Sequence, residues 1–130
     1  MIKDQVLDEK VFFVNRALLK QYADASGDQN PIHQDEAFAK SVGLPDVIAH
    51  GMLTMALVGK FVSDLAGGPA RVLEFGGRFT KPVIVPAGQD LDLTVSATVT
   101  DVIDGKASLS LSATSAGVKV LGMAKAVISL

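Results

Sequence analysis

A chain of 130 residues suits one compact domain, residues 1–130, and leaves no room for a second. Apolar residues make up 48% and charged residues 20%, and a net charge of −2 argues against a general nucleic-acid binder, which needs a basic face. The absence of cysteine excludes a disulfide scaffold, a thiolate nucleophile and any Cys-ligated zinc or iron–sulfur centre.

In chain order, Met1-Ile2-Lys3-Asp4-Gln5 lacks the charged opening and apolar run of a signal peptide. A soluble cytoplasmic chain is therefore expected. Asn15 is placed to cap a helix over residues 16–25. A second helix is expected to start at Asn30-Pro31, with Asn as cap and Pro at the first helical position, and to end before Gly43. A third spans Gly51 to Ala66, where Met52, Leu53, Met55, Leu57, Val58, Phe61, Val62 and Leu65 cover more than one face. A helix apolar nearly all round is a buried one. Thr54, Lys60, Ser63 and Asp64 interrupt it, and it falls short of the roughly 20 apolar residues a membrane span needs.

The remainder reads as strand. Residues 71–85 look extended, bent at Gly76-Gly77 and stopped by Pro82 and Pro86. From Asp90 to Thr100 the chain alternates strictly: Leu91, Leu93, Val95, Ala97 and Val99 on one side, Asp or Ser/Thr on the other. Asp104-Gly105 suits a tight hairpin. Alternation resumes from Lys106 to Ser115, Gly117 marks another turn, and Val118 to Leu130 reads as one more strand. The result is an antiparallel meander of about four long strands. A helix-first, strand-later order with one buried helix makes the fold α+β, a sheet wrapped around a central helix. Such a sheet leaves an edge unprotected, so pairing with a second subunit is expected.

Chemistry concentrates in Tyr22-Ala23-Asp24-Ala25-Ser26-Gly27-Asp28-Gln29-Asn30-Pro31-Ile32-His33. His33 falls in the first turn after Asn30-Pro31, where the positive end of a helix dipole discourages its protonation. On one continuous helix Asp28 and His33 would point about 140° apart, but a turn at Gly27 to Asn30 can fold Asp28 back towards the imidazole. The pair then has the reach that proton transfer requires. Taken alone, Asp and Asn before Pro are also ordinary turn and cap residues. Ala49-His50-Gly51-Met52 precedes the buried helix, whose free N–H groups can hold a developing negative charge. Gly51 there would admit a ligand oxygen without a Cβ in the way, or serve as a small packing residue. His50 is read as structural, packed or orienting the loop. Two histidines without repeated carboxylate spacing make a poor metal site, and neither a phosphate-binding Gly-rich loop nor a nucleophile elbow is present.

The run Tyr22-Ala-x-x-Ser26-Gly27-Asp28-x-Asn30-Pro31-Ile32-His33-x-Asp35 resembles the MaoC-like dehydratases and (R)-specific enoyl-CoA hydratases. The likeness continues through Gly43-Leu44, Ile48-Ala49-His50-Gly51-Met52-Leu53 and Arg78-Phe79-Thr80-Lys81-Pro82-Val83, and it covers most of residues 15–130. Around Ala49-His50-Gly51-Met52-Leu53-Thr54-Met55 it is similar to the catalytic-type (3R)-hydroxyacyl-thioester dehydratase subunits of mycobacterial fatty-acid elongation. The resemblance implies a dimeric hot-dog fold and reversible hydration of trans-2-enoyl thioesters, carried by CoA or acyl carrier protein, to (R)-3-hydroxyacyl thioesters. It maps the catalytic pair onto Asp28 and His33, a supporting Asn onto Asn30, and the thioester-oxygen donor onto the Gly51 N–H. No cofactor or metal is implied, and nucleic acid and membrane are not expected as partners. The pantetheine arm would reach the site, with Arg71, Arg78 or Lys81 as candidates for its phosphates. The family often carries a longer lead-in strand, whereas only residues 1–13 stand before the first helix here. The rival readings are a hot-dog thioesterase and a non-catalytic, acyl-thioester-binding subunit of a heterodimer.

Overall fold

The computed structural model describes residues 1–130. Six strands, β1 (Lys10–Val14), β2 (Val72–Phe79), β3 (Leu91–Ile103), β4 (Lys106–Ser115), β5 (Val118–Lys119) and β6 (Leu121–Ser129), surround three helices, α1 (Arg16–Ser26), α2 (Glu36–Ser41) and α3 (Gly51–Ala66). The strands form one antiparallel sheet in the order β1-β3-β4-β6-β2, with β5 beside β4.

Period-two alternation explains the centre of that sheet. Leu93, Val95, Ala97 and Val99 of β3, Leu109, Leu111 and Ala113 of β4, and Ala126 and Ile128 of β6 are buried in a single cluster. Against them lie Leu53, Val58, Phe61, Val62 and Ala66 of α3. Each fully buried Leu, Val or Phe contributes about 1.5–3 kcal/mol relative to exposure, so the sheet–helix contact is what closes the fold. The β3–β4 hairpin turns at Asp104 and Gly105, both left-handed (φ 53° and 73°), as the Asp-Gly pair led one to expect.

Four expectations need correction. Residues 4–14 are not a bare lead-in: β1 pairs with β3, and the amides of Asp4 and Leu7 donate to the carbonyls of Val99 and Ala97 further along it. The helix expected from Asn30 to Gly43 is two pieces, a 3₁₀ turn at Pro31–His33 and α2, because the Asp35 side chain accepts from the Phe38 amide and starts a second helix. The last strand is broken at Val120, where the chain steps from β5 to β6. Helix α3 is not covered all round: Met52 is 59% exposed and Ala56 and Lys60 are exposed with it. That flank, with Tyr22, Phe75 and Phe79, borders an apolar groove of about 590 Å³.

A short ladder outside the sheet positions the site. The Ala49 amide donates to the Val83 carbonyl at 2.9 Å and the Val85 amide to the Val47 carbonyl at 2.8 Å. Residues 47–49 thereby run antiparallel to residues 83–85, with Ile48 opposite Ile84. Arg16 fastens the same region to α1 through a 2.8 Å ion pair with Asp46 and a hydrogen bond from Nε to the Val85 carbonyl.

Candidate active site

Helix α1 ends at Gly27, whose left-handed φ of 80° turns the chain and whose amide donates to the Ala23 carbonyl. The turn sends residues 28–30 back across the start of α3. Asp28 Oδ1 accepts from the Asn30 amide at 3.1 Å, and the Ser26 hydroxyl accepts from the Asp28 amide at 3.2 Å. The Asn30 side chain is spent on the 3₁₀ turn, accepting from the Ile32 amide at 3.2 Å. Its hold on the Asp28 carboxylate is therefore through its backbone N–H.

His33 is 7% exposed and clamped by one residue. The Ile48 amide donates to the Ile32 carbonyl at 3.2 Å, while His33 Nδ1–H donates to the Ile48 carbonyl at 2.7 Å. A carbonyl only accepts, so the proton of neutral His33 sits on Nδ1 and the lone pair on Nε2. Burial holds the His33 pKa below its usual value, opposed by the bond to Ile48 and assisted by His50. The cause is desolvation rather than a helix dipole, since a three-residue 3₁₀ turn carries little of one.

The third member is His50, 2% exposed. Its ring stacks on His33 with centroids 3.9 Å apart and planes at 24°, and meets Tyr22 edge-on at 4.8 Å. His50 Nε2–H donates to the Asp28 carbonyl at 3.1 Å, and Nδ1 has no partner. An Asp28 carboxylate oxygen and one ring nitrogen from each histidine all lie within 4.8 Å of one another. Such a trio is a conceivable metal donor set. Stacked imidazoles, however, hold their in-plane lone pairs side by side rather than converging on a point, which is poor ligand geometry.

Asp28 and His33 share no hydrogen bond, but their separation lets one water bond to both. His33 and Gly51 line a cavity of about 340 Å³ with Ile48, Thr54, Phe79 and Lys81. Asp28 and Asn30 stand on the exposed loop outside its wall. The amides of Leu53 and Thr54 donate to the His50 carbonyl, so those of Gly51 and Met52 precede the helical ladder, and no side chain caps them. The room left by the missing Cβ of Gly51 is filled: a Cβ there would stand 3.1–3.2 Å from the Phe79 ring. A side chain at this point would have to displace the ring of Phe79, which is 54% exposed, by a few tenths of an ångström. Of the three basic residues considered for a phosphate, only Lys81 reaches the cavity wall. Thr54 and Phe79 were not singled out from the sequence. A polar residue within the apolar run of α3 was the available signal for Thr54, and for Phe79 it was its place in the Arg78-Phe79-Thr80-Lys81-Pro82-Val83 stretch of the family resemblance.

The sequence pattern described as the MaoC like domain matches residues 1–119. The chain belongs to the MaoC-like family. Among solved structures, a MaoC-like dehydratase superposes with a TM-score of 0.96 at 34% identity, covering 100% of this chain and 41% of that one. The R-hydratase of Pseudomonas aeruginosa superposes at 0.85 with 29% identity, covering 99% of this chain and 81% of that one. The 3-hydroxyacyl-thioester dehydratase X of Mycobacterium tuberculosis is 42% identical over 77 residues, 59% of this chain and 26% of its own length. The chain thus spans about a quarter of that curated relative. The sheet wrapped on α3 is the hot-dog fold of these MaoC-like neighbours, and no helix is long and apolar enough to cross a membrane.

Proposed function

We propose that this MaoC-like chain is a hydro-lyase that reversibly adds water to a trans-2-enoyl thioester, giving the (R)-3-hydroxyacyl thioester. The observation that carries this reading is the approach of the Asp28 carboxylate to within 4.8 Å of a ring nitrogen of His33, whose Nε2 is left unprotonated by the bond from Nδ1 to Ile48, beside a cavity that also holds the N-terminus of α3. One water would bond to both groups. In hydration its oxygen forms the bond to C3, the C2–C3 double bond becomes single, and a proton is returned to C2 by the same pair. Negative charge grows on the thioester oxygen, where the Gly51 N–H and the start of α3 would stabilise it. Asn30 serves by holding Asp28. No step calls for a cofactor or metal. The names of the R-hydratase and the thioester dehydratase support the substrate class and the (R) hand; CoA and acyl carrier protein are both compatible carriers, with Lys81 placed to meet a phosphate at the cavity mouth.

A homodimer belongs to the same reading, with a heterodimer with a related chain as its variant. Strand β2 ends the sheet with its outer edge unpaired, and Met52, Leu73 and Phe79 are exposed beside it, a surface that a second hot-dog unit would cover. Sedimentation should give about twice the 13.6 kDa chain mass. A cytoplasmic setting is kept as the expectation from the sequence.

The deciding assay gives purified protein a short trans-2-enoyl-CoA and follows the conjugated double bond, free CoA and product hand together. Loss of the double bond without CoA release, giving the (R) product, is expected. Release of CoA with the double bond intact marks a thioesterase. A folded, inert chain that becomes active only with a partner marks a non-catalytic subunit.

A further inference from the structure

His50 stands seventeen residues from His33 and touches every part of the pair without belonging to it. It donates to the backbone carbonyl of Asp28, stacks on His33, and is packed edge-on by Tyr22. We propose that His50 is a positioning residue, which fixes the Asp28 carboxylate relative to His33 through the Nε2–H it donates to the Asp28 backbone carbonyl. The inference rests on the hydration reading for what the positioning serves.

His50 Nδ1 is buried and unpartnered, and native structures rarely leave such an acceptor unsatisfied without a reason. The Asp28 carbonyl supplies it. Because that carbonyl only accepts, Nε2 must carry the proton, and a neutral ring then leaves Nδ1 bare. A residue kept only to fill space at the start of α3 would be Leu or Phe, with no orphan acceptor. What histidine adds is a rigid donor on a flat ring. The loop needs one: residues 28–30 are exposed, and their other bonds reach no further than five residues along the chain, to Asp24 and Ser26 at the end of α1, between Asp28 and Asn30, and to Ile32, His33 and Gln34. His50 is the tie from Asp28 to the buried helix. Asp28, His33 and Tyr22 are the groups that face it.

Two substitutions separate donor from packing. His50→Gln offers an amide N–H near the position of Nε2 but no ring; His50→Phe keeps the ring and loses the donor. If the donor to Asp28 matters, kcat falls roughly tenfold to a hundredfold in His50→Phe, of the order known for small misplacements of reacting groups, and His50→Gln recovers most of it. KM should change little in both. In an Asp28→Asn background, His50→Phe should add almost nothing, because it acts through the group already removed. Two readouts stand apart from catalysis. Nitrogen-15 shifts of the imidazoles should report His33 as the Nδ1–H tautomer and His50 as Nε2–H, and hydrogen exchange at the amides of Gln29 and Asn30 should quicken in His50→Phe but not in His50→Gln. Reversed tautomers, unchanged loop exchange in His50→Phe, or equal losses in both variants that add fully to Asp28→Asn would overturn the proposal. A wild-type chain that hydrates no enoyl thioester would fail the reaction, while the tautomers and loop exchange still decide whether His50 holds Asp28.

Discussion

Strand β3 buries Leu93, Val95, Ala97 and Val99 along its length, whereas the whole stretch from Gly27 to His50 buries only His33, Ala39, Val47, Ala49 and His50. The strand is held by apolar area and by paired neighbours on both sides. The loop is held by single polar contacts: Gly27 to Ala23, Asn30 to Asp28, His33 to Ile48, His50 to Asp28. On the hydration reading proposed above, stability and chemistry are lodged in different places. Damage to the first should unfold the chain with its chemistry unchanged per folded molecule, and damage to the second should do the reverse.

The sharpest break in that contrast is Asp28→Asn. The residue is exposed and the amide keeps its size, so the melting temperature should hold while turnover falls by roughly 10²–10⁴, the usual worth of an acid–base group. His33→Ala should cost a similar factor. Near-normal turnover from either folded variant would remove the pair from the mechanism. On the other side, Leu93→Ala opens a cavity beneath a side chain with no exposure and should cost about 2–5 kcal/mol in denaturant unfolding, with kcat per folded molecule unaltered. A Leu93→Ala variant of normal stability but lowered kcat would erase the distinction between the regions.

Gly51 sits where the regions meet. Gly51→Val should press a branched side chain into the Phe79 ring, costing about 1–3 kcal/mol by overpacking, and should lower kcat at saturating substrate if its N–H serves the developing oxyanion. Addition of Phe79→Ala should restore the stability. A fall in affinity alone, with kcat intact, would make Gly51 a packing residue only.

The smallest expected effect is a pH dependence, measured by thermal melts and by rate. The pKa of His33 is lowered in the folded chain from an ordinary 6.5, chiefly by burial. The unfolded chain therefore takes up this proton first as pH falls, so the stability linked to a neutral His33 is complete above about 6.5 and is lost as pH drops through the lower folded value. Turnover in the hydration direction should fall on the same acid limb, because a protonated Nε2 accepts nothing from water. His33→Phe should flatten the corresponding part of the stability curve. An acid limb in stability that persists unchanged in that variant would place its origin elsewhere.

What was legible in the sequence follows the same division. Strands β3 and β4, the Asp104-Gly105 turn, α1 with its Asn15 cap and the extent of α3 all came from local pattern, since period and cap chemistry are properties of neighbouring residues. Strand β1 was missed because Lys-Val-Phe-Phe-Val does not alternate and its pairing with β3 spans some eighty residues. The break before α2 was missed because Asn30-Pro31 already made a good start, which hid Asp35 as a second one. At the site, the loop from Gly27 to His33 could be read as a turn that brings Asp28 back. The two clamps that complete it, Ile48 on His33 and His50 on Asp28, depend on the pairing of residues 47–49 with residues 83–85. No local pattern announces that pairing, and a histidine before a glycine looks like any other.

A Cβ on residue 51 would stand 3.1–3.2 Å from the ring of Phe79, so a side chain at one position presses on the other. A larger residue at 51 asks the ring at 79 to swing outward or to shrink, and a smaller residue at 79 leaves room that 51 is then free to fill. Among descendants of this chain, a change at either position should therefore shift which residues are tolerated at the other.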